Sequence, residues 1–219
     1  MPSMAGISTA GIGGGDVRNQ SIGDWLDALG SSAPAPGGGA AAALLVAVGA
    51  SLIEMVTNLT IGKPRYAEHE ERMIRARDDA ARIRAAALRA SADDERAFDS
   101  VAAAYKIPRD DPGRSAAIQE ATANAARPPL RTAELAAQVI ALAADIREGS
   151  NVNVASDVGV AASSARAGLE SAAINVEVNL AALHDADLVR TLAEELAKHV
   201  TAATAADTTI QRVRARFAR

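Results

Sequence analysis

From Gly39 to Leu59 the chain reads "GAAAALLVAVGASLIEMVTNL", twenty-one residues that carry a single charge, Glu54. Alanine loses no side-chain entropy in a helix, and leucine and methionine lose little, so this stretch favours an α-helix about 30 Å long. A helix that is apolar on nearly every side has to be covered. A membrane could cover it, but a span needs about 18 or more uninterrupted apolar residues, and Glu54 falls before that length is reached. The segment therefore predicts a buried central helix, and the rest of the chain must supply its wrapping.

The remainder suits that task. About a quarter of the 219 residues are alanine and only 2% are aromatic, a mixture that brings helices close together and gives strands little to pack with. An all-α fold follows, an extended antiparallel bundle of six or seven helices, some very long. Ser21 and Asp24 form a capping box for a short helix ending near Gly30, and "SSAPAPGGG" then breaks the chain because each proline disfavours helix in its predecessor. Gly62 is placed to close the apolar helix. Pro64–Tyr105 reads as one very long charged amphipathic helix. Further helices are predicted from Asp111-Pro112, from Pro128-Pro129 to Arg147, from Ser156 or Asp157 through Leu183, and from Ala186 to Arg216. Residues 1–19 are small and glycine-rich and read as a flexible tail, lacking the basic and apolar regions of a signal peptide; residues 20–219 read as one domain.

Charge and composition exclude several functions. A net charge of −4 and a pI near 5.4 do not suit a nucleic-acid partner. The absence of cysteine removes disulfides, thiolate metal sites and cysteine nucleophiles, and fits a cytoplasmic location. His69, His184 and His199 have no metal-ligand spacing, so no metal site is predicted. Gly37, Gly38 and Gly39 precede a helix, but no strand precedes them and no Lys-Ser or Lys-Thr follows, which rules against a phosphate loop. Their amides could still bind an anion or allow close backbone approach, or they could form a plain turn.

Four stretches, taken in order, resemble the formiminotetrahydrofolate cyclodeaminase / methenyltetrahydrofolate cyclohydrolase family. They are "PAPGGGAAAALLVAVGASLIEMVTNLTIGKPRY" (34–66), "DERAF" (94–98), "NVNVASDVGVAA" (151–162) and "NVEVNL" (175–180). Ala40 replaces the family's usual serine, and Pro64-Arg65 replaces a lysine. The resemblance implies an all-helical homodimer that acts on a tetrahydrofolate derivative as substrate, with no tightly bound cofactor. The reaction implied is hydrolysis of 5,10-methenyltetrahydrofolate to 10-formyltetrahydrofolate, or alternatively release of ammonia from the 5-formimino compound. A non-catalytic helical scaffold, or an enzyme for another amidine, would have the same composition.

Either reaction needs a carboxylate near a cationic carbon, a proton shuttle, and donors and acceptors for the pterin. On the resemblance, Asp157 is the carboxylate, although an aspartate there could simply cap a helix. Lys63 is the second catalytic candidate, as proton carrier or point charge, with a helix-dipole partner as the alternative. Gly37, Gly38, Gly39, Asn58, Asp94, Asn151, Asn153, Asn175 and Asn179 complete the predicted substrate contacts. Asn175 and Asn179 lie four apart, on one face of an apolar helix, where an amide must find a partner in protein or ligand.

Overall fold

The computed structural model describes residues 17–218. Eight α-helices carry the fold: α1 (Ile22–Leu29), α2 (Gly38–Asn58), α3 (Glu70–Tyr105), α4 (Arg114–Ala125), α5 (Arg127–Ile146), α6 (Ala155–Ala181), α7 (Ala186–Val200) and α8 (Ala202–Ala215). Six are long; α1 and α4 are short. Three 3-10 turns, Val17–Asn19, Pro64–His69 and Val152–Val154, fill connections. Apart from Val17–Asn19, the expected N-terminal tail lies outside the described residues.

The fold is all-α, as the composition implies, and it differs from the sequence reading at element ends. The segment after Lys63 opens as a 3-10 turn, with Pro64 at its first position, and becomes α-helical only at Glu70. The expected final helix is two, divided at Thr201. There a β-branched pair, Val200-Thr201, meets a threonine hydroxyl that donates to the Lys198 carbonyl in competition with the helix ladder. Neither Ser156 nor Asp157 caps α6. That helix starts at Ala155, which leaves Asp157 in its first turn, while Asn151 caps the preceding 3-10 turn by accepting the Asn153 N–H at 3.1 Å. The capping box at Ser21 forms as the spacing requires, the Asp24 N–H reaching Ser21 Oγ at 3.0 Å. Gly62, with φ of +76°, turns the chain away after α2 through the left-handed region.

Helix α2 is the spine, packed against α3, α5 and α6. Among the described residues it is also the one helix long and apolar enough to cross a bilayer, but 56% of its apolar window is buried in the bundle, which marks it as a core helix. Its neighbours α3 and α6 both run antiparallel to it. Arg84 of α3 pairs with Glu54 at 2.5 Å, whereas Asp94, further along α3, reaches back to Ala40. Likewise Asn151, just before α6, donates to the Leu59 carbonyl at 2.9 Å, and Asn175 near the far end of α6 meets Gly38. Small residues permit this intimacy. A Cβ added to Gly168 would stand 2.7 Å from Val46 Cγ2 and 3.0 Å from the Ala42 carbonyl, so α6 lies backbone to backbone on α2. The antiparallel arrangement has one consequence for function. Both ends of the bundle gather residues from several helices, and they are different residues.

The solvent side of α2 is apolar too. Leu45, Val48, Met55 and Leu59 are exposed, with half-exposed Leu52 between them, at spacings of three and four. Val160, Ile174 and Val178 extend the apolar surface along α6.

Candidate active site

Where α2 begins, a cavity of about 340 Å³ opens between the 34–39 corner, α3, the α4–α5 junction and the end of α6. Six predicted site residues line it: Gly37, Gly38, Gly39, Asp94, Asn175 and Asn179. Gly37 is extended and flanks α2, whose first amides have no intrahelical acceptor. Asp94 supplies one from a neighbouring helix, its carboxylate accepting the Ala40 N–H. Burial nevertheless dominates its titration and raises the Asp94 pKa above the usual carboxylate value, the Ala40 bond acting in the opposite direction. Gly39 is required here, because any Cβ would fall inside the Asp94 carboxylate; at Gly38 a Cβ would merely touch Asn175 Nδ2, at 3.4 Å.

The two asparagines divide their polar atoms. Asn175 Nδ2 donates to the Ser171 carbonyl at 2.8 Å, and Asn179 Nδ2 to the carbonyls of Asn175 at 2.9 Å and Ala125 at 3.2 Å. Their donors thus hold α6 together and fasten it to the α4–α5 junction, and their oxygens remain for the cavity. The sequence reading left structural bonding and ligand recognition as alternatives; each amide serves the first with its nitrogen and is available for the second with its oxygen.

The other five predicted residues are not at this cavity. Helix α2 alone separates the poles by ~30 Å, and Asp157 and Asn179 stand ~33 Å apart along α6 at 1.5 Å per residue. The single crevice expected to hold Asp157, Lys63 and Asn179 is therefore absent from one chain. Lys63 is exposed, its ammonium without an ion-pair or hydrogen-bond partner among the described residues. Asn58 borders a shallow hollow on the exposed side of α2 with Glu54 and Arg84. Asn151 is a structural clamp instead of a free ligand group: it is 4% exposed, donates to Leu59, accepts from Asn153, and its own N–H reaches Thr60 Oγ1 at 3.0 Å. Asn153 is exposed on the same loop. The Tyr66 hydroxyl, accepting the Val152 N–H at 3.1 Å, completes the attachment of that loop to the end of α2.

Among the lining residues that the sequence reading did not select, Glu95 and Phe98 bring a carboxylate and an aromatic ring to the cavity. The signal was present: Asp94, Glu95, Phe98 and Val101 recur at helical spacing and share one side of α3. A larger hollow, about 580 Å³, lies between α3 and α5, but it holds none of the predicted residues, and its Arg82 and Arg131 already pair with Asp79 and Glu134.

Comparison with known proteins places this geometry. The family model described as formiminotransferase-cyclodeaminase matches residues 21–198, from α1 almost to the end of α7. The chain belongs to that family. A methenyltetrahydrofolate cyclohydrolase of Methylorubrum extorquens is 45% identical over 186 residues, covering 83% of this chain and 88% of that one. The rat formimidoyltransferase-cyclodeaminase is 31% identical over 174 residues, which is 77% of this chain but only 32% of the longer rat protein. Among solved structures, a formiminotetrahydrofolate cyclodeaminase from Thermotoga maritima superposes with a TM-score of 0.83 at 26% identity, covering 90% of this chain and 96% of that one. Within the formiminotransferase-cyclodeaminase family, then, this chain retains the helical frame almost end to end.

Proposed function

We propose that this protein hydrolyses 5,10-methenyltetrahydrofolate to 10-formyltetrahydrofolate in the cavity at the start of α2. The observation that carries the reading is Asp94: a carboxylate held at the Gly37–Gly39 corner, beside two asparagines whose oxygens are uncommitted. The substrate's reacting carbon belongs to a cationic amidinium. A carboxylate in a water-poor cavity stabilises that cation and accepts a proton from the attacking water. Water adds to the carbon, the carbon–N5 bond breaks, N5 takes up a proton, and the formyl group stays on N10 with net release of one proton. Asp94 therefore takes the role that the sequence reading gave to Asp157. The 45% identity to a protein named for this reaction supports the assignment.

The likeness to the Thermotoga cyclodeaminase favours a second reaction at the same site, attack of N10 on a 5-formimino carbon with loss of ammonia. The two are separated by offering purified protein each compound, following loss of the methenyl absorbance in one case and ammonia release in the other. Asp94→Asn should abolish whichever turnover the wild type shows while leaving the fold intact; full activity in that variant would remove Asp94 from the chemistry.

The functional unit in this reading is a cytoplasmic homodimer. The apolar stripe of α2 supports it, since its three-and-four spacing suits a helix-to-helix seam. A two-fold axis crossing α2 near its middle would set the partner's Lys63 over the carboxylate-lined cavity of the first chain, and so reunite the two sets of predicted residues.

A further inference from the structure

The hydrolysis just described leaves one cavity group without a task. Glu95 is only 7% exposed, lines the same space as Asp94, and has no hydrogen-bond or ion-pair partner among the described residues. A carboxylate so little exposed and without a protein partner is costly to keep charged, and donors from a bound ligand would offset that cost. Burial raises the Glu95 pKa above the ordinary value, the charges of Asp94 and Asp99 add to the rise, and Arg96 opposes it. Arg96 itself points outward and pairs with Asp93.

The chemistry of the side chains around Glu95 narrows what could bring those donors. Asn179 has committed both of its N–H groups to backbone carbonyls and Asn175 one of its two, and Asp94 can only accept when ionised. The cavity side chains therefore present mostly acceptors, with one N–H of Asn175 besides. Within one chain, no lysine or arginine lines it. Its complement is a ligand edge with several N–H donors, and two carboxylate oxygens best fit two parallel N–H groups, as in the fork geometry of an amidine or guanidine. The 2-amino-4-oxo ring of a reduced pterin has such an edge in its ring N3–H and exocyclic amino group. Phe98, one turn along α3 and 42% exposed, offers a flat apolar face beside it.

We propose that Glu95 is a specificity-determining residue of this pocket, its carboxylate receiving the ring N–H and the 2-amino group of the pterin in two parallel hydrogen bonds. This rests on the folate reading above and adds the orientation of the substrate: the amino edge of the pterin lies on Glu95 and the one-carbon unit on Asp94.

The experiment compares 5,10-methenyltetrahydrofolate with its analogue lacking the 2-amino group, for the wild type, Glu95→Gln and Asp94→Asn. The wild type should prefer the parent compound by at least ~10²-fold in kcat/KM, because a site built around a donor rejects a ligand without it. Glu95→Gln should raise KM for the parent by ~10-fold or more with kcat within a few-fold, and reduce the preference below ~10-fold, since the amide turns one acceptor into a clashing donor. Asp94→Asn should instead lose kcat. Retained preference in Glu95→Gln, or a wild type indifferent to the 2-amino group, overturns the proposal; the second result needs no variant to fold. A wild type that converts neither compound, nor the 5-formimino substrate, refutes the folate reading itself, and this inference with it.

Discussion

Replacing Gly39 by alanine tests the site with one methyl group. The new Cβ would lie 2.5 Å or less from both Asp94 carboxylate oxygens, where real Cβ atoms essentially never come within 3.0 Å of a neighbour. The backbone of α2 is fixed by its packing on α6, so the carboxylate must move, by roughly 1 Å, and a misplacement of that size can cost ~10²-fold in rate. Stability should hardly suffer. Gly39 lies in the first turn of a helix, without a positive φ, where alanine restricts the unfolded chain and contributes about 0.4–1 kcal/mol at a compatible site. That gain offsets part of the strain of displacing Asp94. The control is Gly38→Ala, whose Cβ would only touch Asn175 at 3.4 Å. Steady-state turnover of 5,10-methenyltetrahydrofolate, alongside thermal melting followed by circular dichroism, reads both effects. Gly39→Ala should lose ~10²-fold in kcat with a melting temperature near wild type, and Gly38→Ala should stay within a few-fold. Equal activities for the two variants would show that the position of Asp94 does not matter, and the reasoning would fail.

Other perturbations have equally definite outcomes. Asp94 is raised by burial and must be ionised to face a cation, so kcat should fall on the acid side through a pKa above the ordinary carboxylate range, and Asp94→Asn should lack that limb. A raised carboxylate binds its proton more tightly folded than unfolded, so its contribution to stability is present below the unfolded pKa and disappears as pH rises through the folded one; Asp94→Asn and Glu95→Gln should therefore gain melting temperature over wild type at pH 8 and show a smaller gain at pH 4. Gly168→Ala places a methyl 2.7 Å from Val46 and should cost about 1–3 kcal/mol in urea unfolding, by forcing α2 and α6 apart. Val48→Glu puts a charge on an exposed residue in the middle of the α2 stripe; on the homodimer proposed above, sedimentation should show a dimer for the wild type and a folded monomer for the variant, and equal masses for the two would refute an interface on this stripe.

Helix identity was legible in the residues because it depends on near neighbours. The alanine-rich run announced α2, the Ser21–Asp24 pair its capping box, and the Asn175–Asn179 spacing a shared face, since each depends on atoms within one turn. Ends were less legible. At Thr201 a side-chain hydroxyl competes with the backbone ladder, and at Lys63–Pro64 a 3-10 turn takes the place of helix; both are settled by energies too small for a pattern to show.

What no periodicity could supply is which helix ends meet. By itself the sequence fixes a set of rods, their apolar faces and, through four ordered motifs, a family. Tertiary packing decides that α2 lies antiparallel to both α3 and α6, and glycines at 49 and 168 let the backbones of α2 and α6 approach closely in that register. That decision brings Asp94 and Asn175 to Gly38 and Gly39, leaves Lys63 and Asp157 at the other pole, and sets Glu95 in the wall of the cavity. Residues distant in sequence become neighbours only when close-packed interfaces choose one alignment among many, and that choice is a property of the whole bundle.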